Sequence, residues 1–142
     1  MMSDSNDYRI TTHLAEIDLG AICDLLQNHS YWANERPREE IERAFRSPAS
    51  ICFGLLDRAG KAVGCARVVT DRTTFGWVCD VIVHPEHRGK GLGKRLVEAV
   101  IAHPDLQFRL ILATRDAHTF YEKYGFERRE MMRRPASTPP PS

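Results

Sequence analysis

Residues 80–98 read DVIVHPEHRGKGLGKRLVE, and three different local rules meet in them. Val81, Ile82 and Val83 are a β-branched apolar run, the composition of a strand end. His84-Pro85 ends it, because proline has no N–H to give to a sheet ladder. After Arg88-Gly89-Lys90-Gly91-Leu92-Gly93-Lys94-Arg95 the period changes. Leu92, Leu96, Val97, Val100 and Ile101 form an apolar stripe, with Lys94, Arg95 and Glu98 on the other side of a helix. The order is strand, basic glycine-rich turn, helix, and it suits an anion. A helix start leaves N–H groups unpaired and carries the positive end of the dipole. Glycine lets a ligand reach that backbone. A phosphate or pyrophosphate is the natural guest; the plainer alternative is a glycine turn with solvated charges.

Two nucleotide readings fail on spacing. A Walker loop needs two glycines five apart followed by Lys and Ser or Thr, but positions 88 and 95 are both Arg. The dinucleotide fingerprint needs G-x-G-x-x-G, whereas Gly89, Gly91 and Gly93 are spaced two and two. What does match is Arg88-x-x-Gly91-x-Gly93, directly after a strand. It resembles the acetyl-CoA signature R/Q-x-x-G-x-G/A of the GNAT superfamily of N-acetyltransferases. Downstream, Phe120-Tyr121-Glu122-Lys123-Tyr124-Gly125-Phe126 looks like that family's F-Y-x-x-x-G-F segment. Two motifs in the expected order are far more specific than either alone.

The rest of the chain is ordinary in composition. Its 142 residues suit one domain, predicted over 1–134, with a core of its own. A formal charge of +1 argues against a nucleic-acid or membrane-surface role. No run approaches the ~18 apolar residues of a membrane span, and the N-terminus MMSDSNDYR lacks a signal-peptide core. The expected location is cytoplasmic. Cys23, Cys52, Cys65 and Cys79 form no C-x-x-C pair and read as small core residues, not as a disulfide framework. His84 and His87 flank a turn, but two ligands on a short loop do not make a metal site, and none is expected.

Taken in order, Tyr8 to Thr12 alternates as a first strand. Asp18 is placed to cap a helix to Asn28 whose Leu19, Ile22, Leu25 and Leu26 face inward. Residues 29–36 have no period, and Pro37 opens a second helix through Phe45, with Glu39/Arg43 and Glu42/Arg46 as i,i+4 pairs. Strands are predicted over 50–56, 62–70 and 75–83, with turns at 57–61 and 71–74. After the long helix, His103-Pro104 is a stop, 108–113 a strand, and Asp116 the cap of a short helix to Tyr124 closed by Gly125. Phe126 to Met131 is predicted as a last strand. Residues 135–142 hold four prolines and read as a disordered tail. The order β-α-α-β-β-β-α-β-α-β is α+β, a mixed twisted sheet with helices on both faces. It agrees with the GNAT fold, so the resemblance spans nearly the whole chain.

The resemblance also implies a site. The strand before the glycine turn splays from its neighbour, and pantetheine lies in the gap. Val81 and Val83 would offer backbone groups there, with Ile82 between them. Arg88, Gly89, Lys90, Gly91, Leu92, Gly93 and Lys94 would wrap the pyrophosphate of acetyl-CoA. Thr114 stands where many relatives carry a cofactor-contacting Asn. Tyr121 matches the tyrosine assigned to the departing thiolate, with Tyr124 as its rival. Tyr31, Trp32 and Arg36 would line the acceptor site; the alternative is that the two aromatics plug the core. The general base is open. Asp80 is one candidate, or else a structural residue holding a turn or an arginine, with Glu35 and His118 behind it. The reaction implied is direct attack of a primary amine, on a small molecule or peptide, upon the thioester of acetyl-CoA. The runner-up is a non-catalytic acyl-CoA sensor on the same fold. The acceptor, the acyl-chain preference and the oligomeric state, a homodimer among the options, are not legible.

Overall fold

The β-branched, turn-bounded runs in the middle of the chain become its three long strands: β2 (Ser50–Leu56), β3 (Ala62–Thr70) and β4 (Phe75–Val83). Their bounds match the sequence reading residue for residue. Short strands β1 (Arg9–Thr11) and β5 (Arg109–Ile111) flank them, in spatial order β1-β2-β3-β4-β5. Every neighbouring pair is antiparallel except β4 and β5, which are parallel. The structure is a computed structural model that describes residues 7–141; the first part of the polar N-terminus and the last residue of the proline-rich tail lie outside them. It divides into two units, one ending at Leu112 and one beginning at Ala113.

In the first unit the sheet is covered on both faces. Helix α1 (Leu19–His29) starts where Asp18 accepts from the N–H groups of Gly20 and Ala21. It packs with α2 (Arg38–Arg46) on one face, where Ile22, Leu26, Ile41 and Phe45 meet Cys52, Leu56, Cys65 and Ile82. Helix α3 (Leu92–Ala102) covers the other face, bringing Leu92, Leu96 and Val100 against Phe53, Val68 and Val78. Pro37 is the N-cap of α2 and not its first residue. The pairs Glu39/Arg43 and Glu42/Arg46 do not close as ion pairs. Both are solvated surface pairs, which gain little from holding two long side chains in place.

The second unit holds α4 (His118–Glu122). Asp116 does not cap it; Thr114 Oγ1 accepts from the N–H of Ala117 instead, at 3.0 Å. Gly125 follows it with φ +87°, the left-handed conformation expected of a helix stop. The strand expected over 126–131 is not present. Glu127, Arg128, Arg129 and Glu130 are charged and exposed, so the segment has no apolar face to bury. Among the described residues no helix is long and apolar enough to cross a membrane.

Candidate active site

The glycine turn is open where a ligand would lie. Gly91 is the N-cap of α3 at φ +74°, and Gly89 has φ +81°. Both conformations disfavour any residue with a Cβ. Gly93 is different: it lies inside α3 with no such backbone demand, and a Cβ built on it meets nothing within 4 Å. Glycine in a helix is about 1 kcal/mol worse than alanine. Among the described residues neither backbone nor packing requires a glycine here. Lys94 is exposed on the first turn. Lys90 donates to the Tyr8 hydroxyl at 3.1 Å and Arg95 to the Tyr8 carbonyl at 3.2 Å, so the residue just before β1 steadies the cationic turn. Tyr8 also bonds His87 Nδ1 at 2.8 Å, and His84 Nδ1 accepts from Glu86 N–H, so both histidine nitrogens serve the turn.

The strand leading into that turn loses one neighbour. β4 pairs with β5 only at Phe75, Gly76 and Trp77; beyond Trp77 the register with β5 stops. On its other side β4 stays paired with β3 up to Val83, and His84 N–H then bonds to Val63. In an antiparallel ladder alternate residues bond to the neighbour. By that alternation Val83 and Val81 turn their backbone groups toward the side that β5 has left, and Ile82 turns its own toward Cys65. The Val83 carbonyl accepts from Arg88 Nε at 2.9 Å, tying the turn to the strand end.

Midway along β4 the ladder bulges. Cys65 faces Ile82 and Arg67 faces Cys79, so Asp80 and Val81 together oppose Ala66. Asp80 has φ +54°, a conformation of order 1 kcal/mol unfavourable outside glycine. Its carboxylate is almost wholly buried, with the side chain 1% exposed. There it accepts from Trp32 Nε1 at 2.9 Å, from Arg67 Nε at 2.9 Å and from Arg36 at 3.3 Å. The aperiodic segment 30–36 is fixed in turn. Ser30 Oγ accepts from Ala33 N–H, and Gln27 donates to the Arg36 carbonyl at 2.9 Å.

Thus Trp32 and Arg36, four residues apart, meet Asp80, which is distant in sequence, at one point. Tyr31 packs edge-on against Trp32 with ring centroids 5.0 Å apart. Tyr31 is 44% and Trp32 38% exposed, so neither plugs the core. Arg67 was not singled out in the sequence, although an arginine inside the apolar strand run 62–70 is itself a signal that a buried charge has a partner. Arg67 is held further by Ser50 Oγ at 3.1 Å and lies over the Phe45 ring at 5.6 Å. Beside these residues a cleft of about 450 Å³ is lined by Arg36, Glu40, Arg43, Ala44, Ser47 and Arg67. Burial pushes the thiols of Cys52 and Cys79 up to about 11 and raises that of Cys65 well above its ordinary value, which leaves them poor nucleophiles.

In the second unit, Tyr121 lies on α4 within an aromatic group. Its ring is 5.1 Å from Phe120 and 5.7 Å from Phe126, while Tyr124 packs on Phe120 at 5.5 Å. Thr114 is occupied as the acceptor for Ala117.

The fold and these motifs define an acyltransferase class, and comparison with known proteins agrees. The family profile described as Acetyltransferase (GNAT) domain matches residues 48–128. A protein of Gibberella zeae described as an acetyltransferase is 31% identical over 143 residues, spanning 85% of this chain and 80% of its own. A crystal structure of a GNAT-family protein from Xanthomonas campestris pv. campestris, also described as an acetyltransferase, superposes with a TM-score of 0.83 at 40% identity. It covers 91% of this chain and 93% of its own. One from Deinococcus radiodurans R1 gives 0.76 at 22% identity over 96% and 94%, a likeness of fold. The chain belongs to the GNAT family of acetyltransferases.

Proposed function

We propose that the protein is an N-acetyltransferase that moves the acetyl group of acetyl-CoA to a primary amine in the cytoplasm. The observation that carries this is the continuity of two features. β4 is without β5 beyond Trp77, and it leads directly into a glycine turn with open space at Gly89, Gly91 and Gly93. A pantetheine arm needs the first and a pyrophosphate the second. Bound acetyl-CoA supplies an activated acetyl thioester. The chain supplies the rest: Val81 and Val83 orient the arm through backbone groups, and Arg88 to Lys94 with the α3 N–H groups hold the phosphates. An N–H at the Val83 end aimed at the thioester oxygen would contribute about 3 kcal/mol, as such donors do elsewhere.

Tyr121 is proposed to hydrogen-bond the departing sulfur. A phenol near pKa 10 is a weaker acid than a thiol near 8.5, so full proton transfer would be uphill by about 2 kcal/mol. The acceptor must lose a proton, since an ammonium of pKa about 10.4 is only about one part in 10³ neutral at pH 7. Asp80 is already engaged by two guanidiniums and an indole. That arrangement supports its structural reading over a general-base role, and proton loss through water is the route proposed. The test is thiol release from acetyl-CoA with an amine panel, together with an acetyl-CoA-dependent rise in melting temperature. Ligand at about 100 times its Kd stabilises a fold by about 2.7 kcal/mol. Binding without thiol release would favour the acyl-CoA sensor.

A further inference from the structure

Two guanidiniums share one carboxylate at the centre of the first unit. Arg67 gives Nε to Asp80 Oδ2 at 2.9 Å, and Arg36 reaches Oδ1 at 3.3 Å and Oδ2 at 3.4 Å. Their side chains are 13% and 29% exposed, so their charge is only partly screened by water. Arg43, on the α2 wall of the adjoining cleft, forms no ion pair among the described residues. The charged groups facing the cleft are therefore Arg36, Arg43 and Arg67 against Glu40, with Asp80 behind them. Glu40 and Arg43 are both solvent-exposed, whereas the two arginines that share Asp80 are half-buried. A half-buried excess of positive charge beside an open, shallow surface cleft is completed by an anion. Arg67 is aligned on three sides, by Asp80 at Nε, Ser50 at Nη1 and the Phe45 ring, so the donors left at the Nη end of its planar fork are set before any ligand arrives. Such a fork fits the two coplanar oxygens of a carboxylate.

We infer that this cleft is a carboxylate site formed by Arg36, Arg43 and Arg67, and that the amine acceptor is a small amino acid-like molecule whose carboxylate is held there. The acceptor half of this inference rests on the N-acetyltransferase reading above; the carboxylate site does not.

Two arms test it on the full chain. In the first, arginine Nε–H signals are followed by NMR as glutarate, its neutral analogue glutaramide, or inorganic phosphate is added without acetyl-CoA. The expected result is that the Arg36 and Arg67 signals move with glutarate and not with glutaramide. Arg43→Gln, an exposed change that leaves the melting curve in place, should weaken glutarate binding about tenfold, the worth of one charge-assisted contact. No movement with glutarate, equal movement with glutaramide, or a stronger response to phosphate would overturn the carboxylate site. In the second arm, ω-amino acids of increasing length are compared with their amides as acceptors. A kcat/KM favouring the acids by about tenfold or more, and a smaller preference in Arg43→Gln, is expected. Acetylation without that preference would overturn the inference and leave the N-acetyltransferase reading intact. Glutarate binding in a protein that acetylates no amine would uphold the site and sink that reading.

Discussion

At Asp80 a strained backbone, a buried carboxylate and three donors coincide, and the residue's chemistry follows from that company. Asp80→Asn keeps the shape and removes the charge, stranding Arg67 and Arg36. Loss of one partner of such a pair should lower stability by about 3 kcal/mol in urea melts, raise the acceptor KM and leave the acetyl-CoA KM alone. The acidic limb of the pH–rate profile should persist. Its disappearance together with a collapse of kcat would make Asp80 the base after all. Tyr121→Phe should lower kcat by roughly 10–10³-fold with acetyl-CoA affinity unchanged, and Tyr124→Phe should be mild. The reverse ranking would reassign the thiolate partner. Cys52 and Cys79, raised by burial from 9.0 to about 11, make a different claim. A raised folded-state pKa gives stability that is full below the unfolded value and lost as pH climbs through the folded one. Stability should therefore fall between pH about 9 and about 11, and alkylation of these thiols at pH 8 should be about a hundredfold slower in the native protein than after unfolding. Equal labelling in both states would contradict the burial. Of this residue-level picture, Asp80, Trp32 and Arg36 were visible as candidates in the sequence. Their meeting point was not, because it depends on a bulge that brings Asp80 to the face carrying Arg67.

Among the elements, α3 and β4 carry the account. Gly93 has helical neighbours and open space, so Gly93→Ala should stabilise the free protein by about 1 kcal/mol. Gly93→Leu, also a good helix former, should fold well and yet lose the acetyl-CoA-dependent melting shift. A full shift in Gly93→Leu would place the phosphates elsewhere. For β4, amides between Val78 and Val83 that point away from β3 have no β5 partner, so they should exchange quickly and gain protection when acetyl-CoA is added. Unchanged exchange there would remove the arm from the gap. Elements with a strong local rule were legible: the three long strands from β-branched runs, α1 from its Asp18 cap, α3 from its glycine start. The missing strand over 126–131 shows the opposite case. Phe126 and Met131 gave an apolar frame, but the four charges between them supplied no face for a sheet to bury.

For the whole chain, the α+β order and the family were readable because two motifs stood in the right sequence on the right elements. The cleft proposed for the acceptor's carboxylate was not, because it is assembled from α2, β3 and the segment before α2, and no single stretch of sequence records it. The same holds for Arg67, whose role appears only when β3 and β4 are paired. The central claim, acetyl transfer from acetyl-CoA to an amine, is met most directly by incubating the full chain with acetyl-CoA and an amine panel while following free thiol and N-acetyl product together. Thiol and N-acetyl product should appear in equal amounts with at least one amine, and Gly91→Leu should abolish both. Acetyl-CoA that is consumed with no amine in the panel, whether or not it binds, would contradict the account.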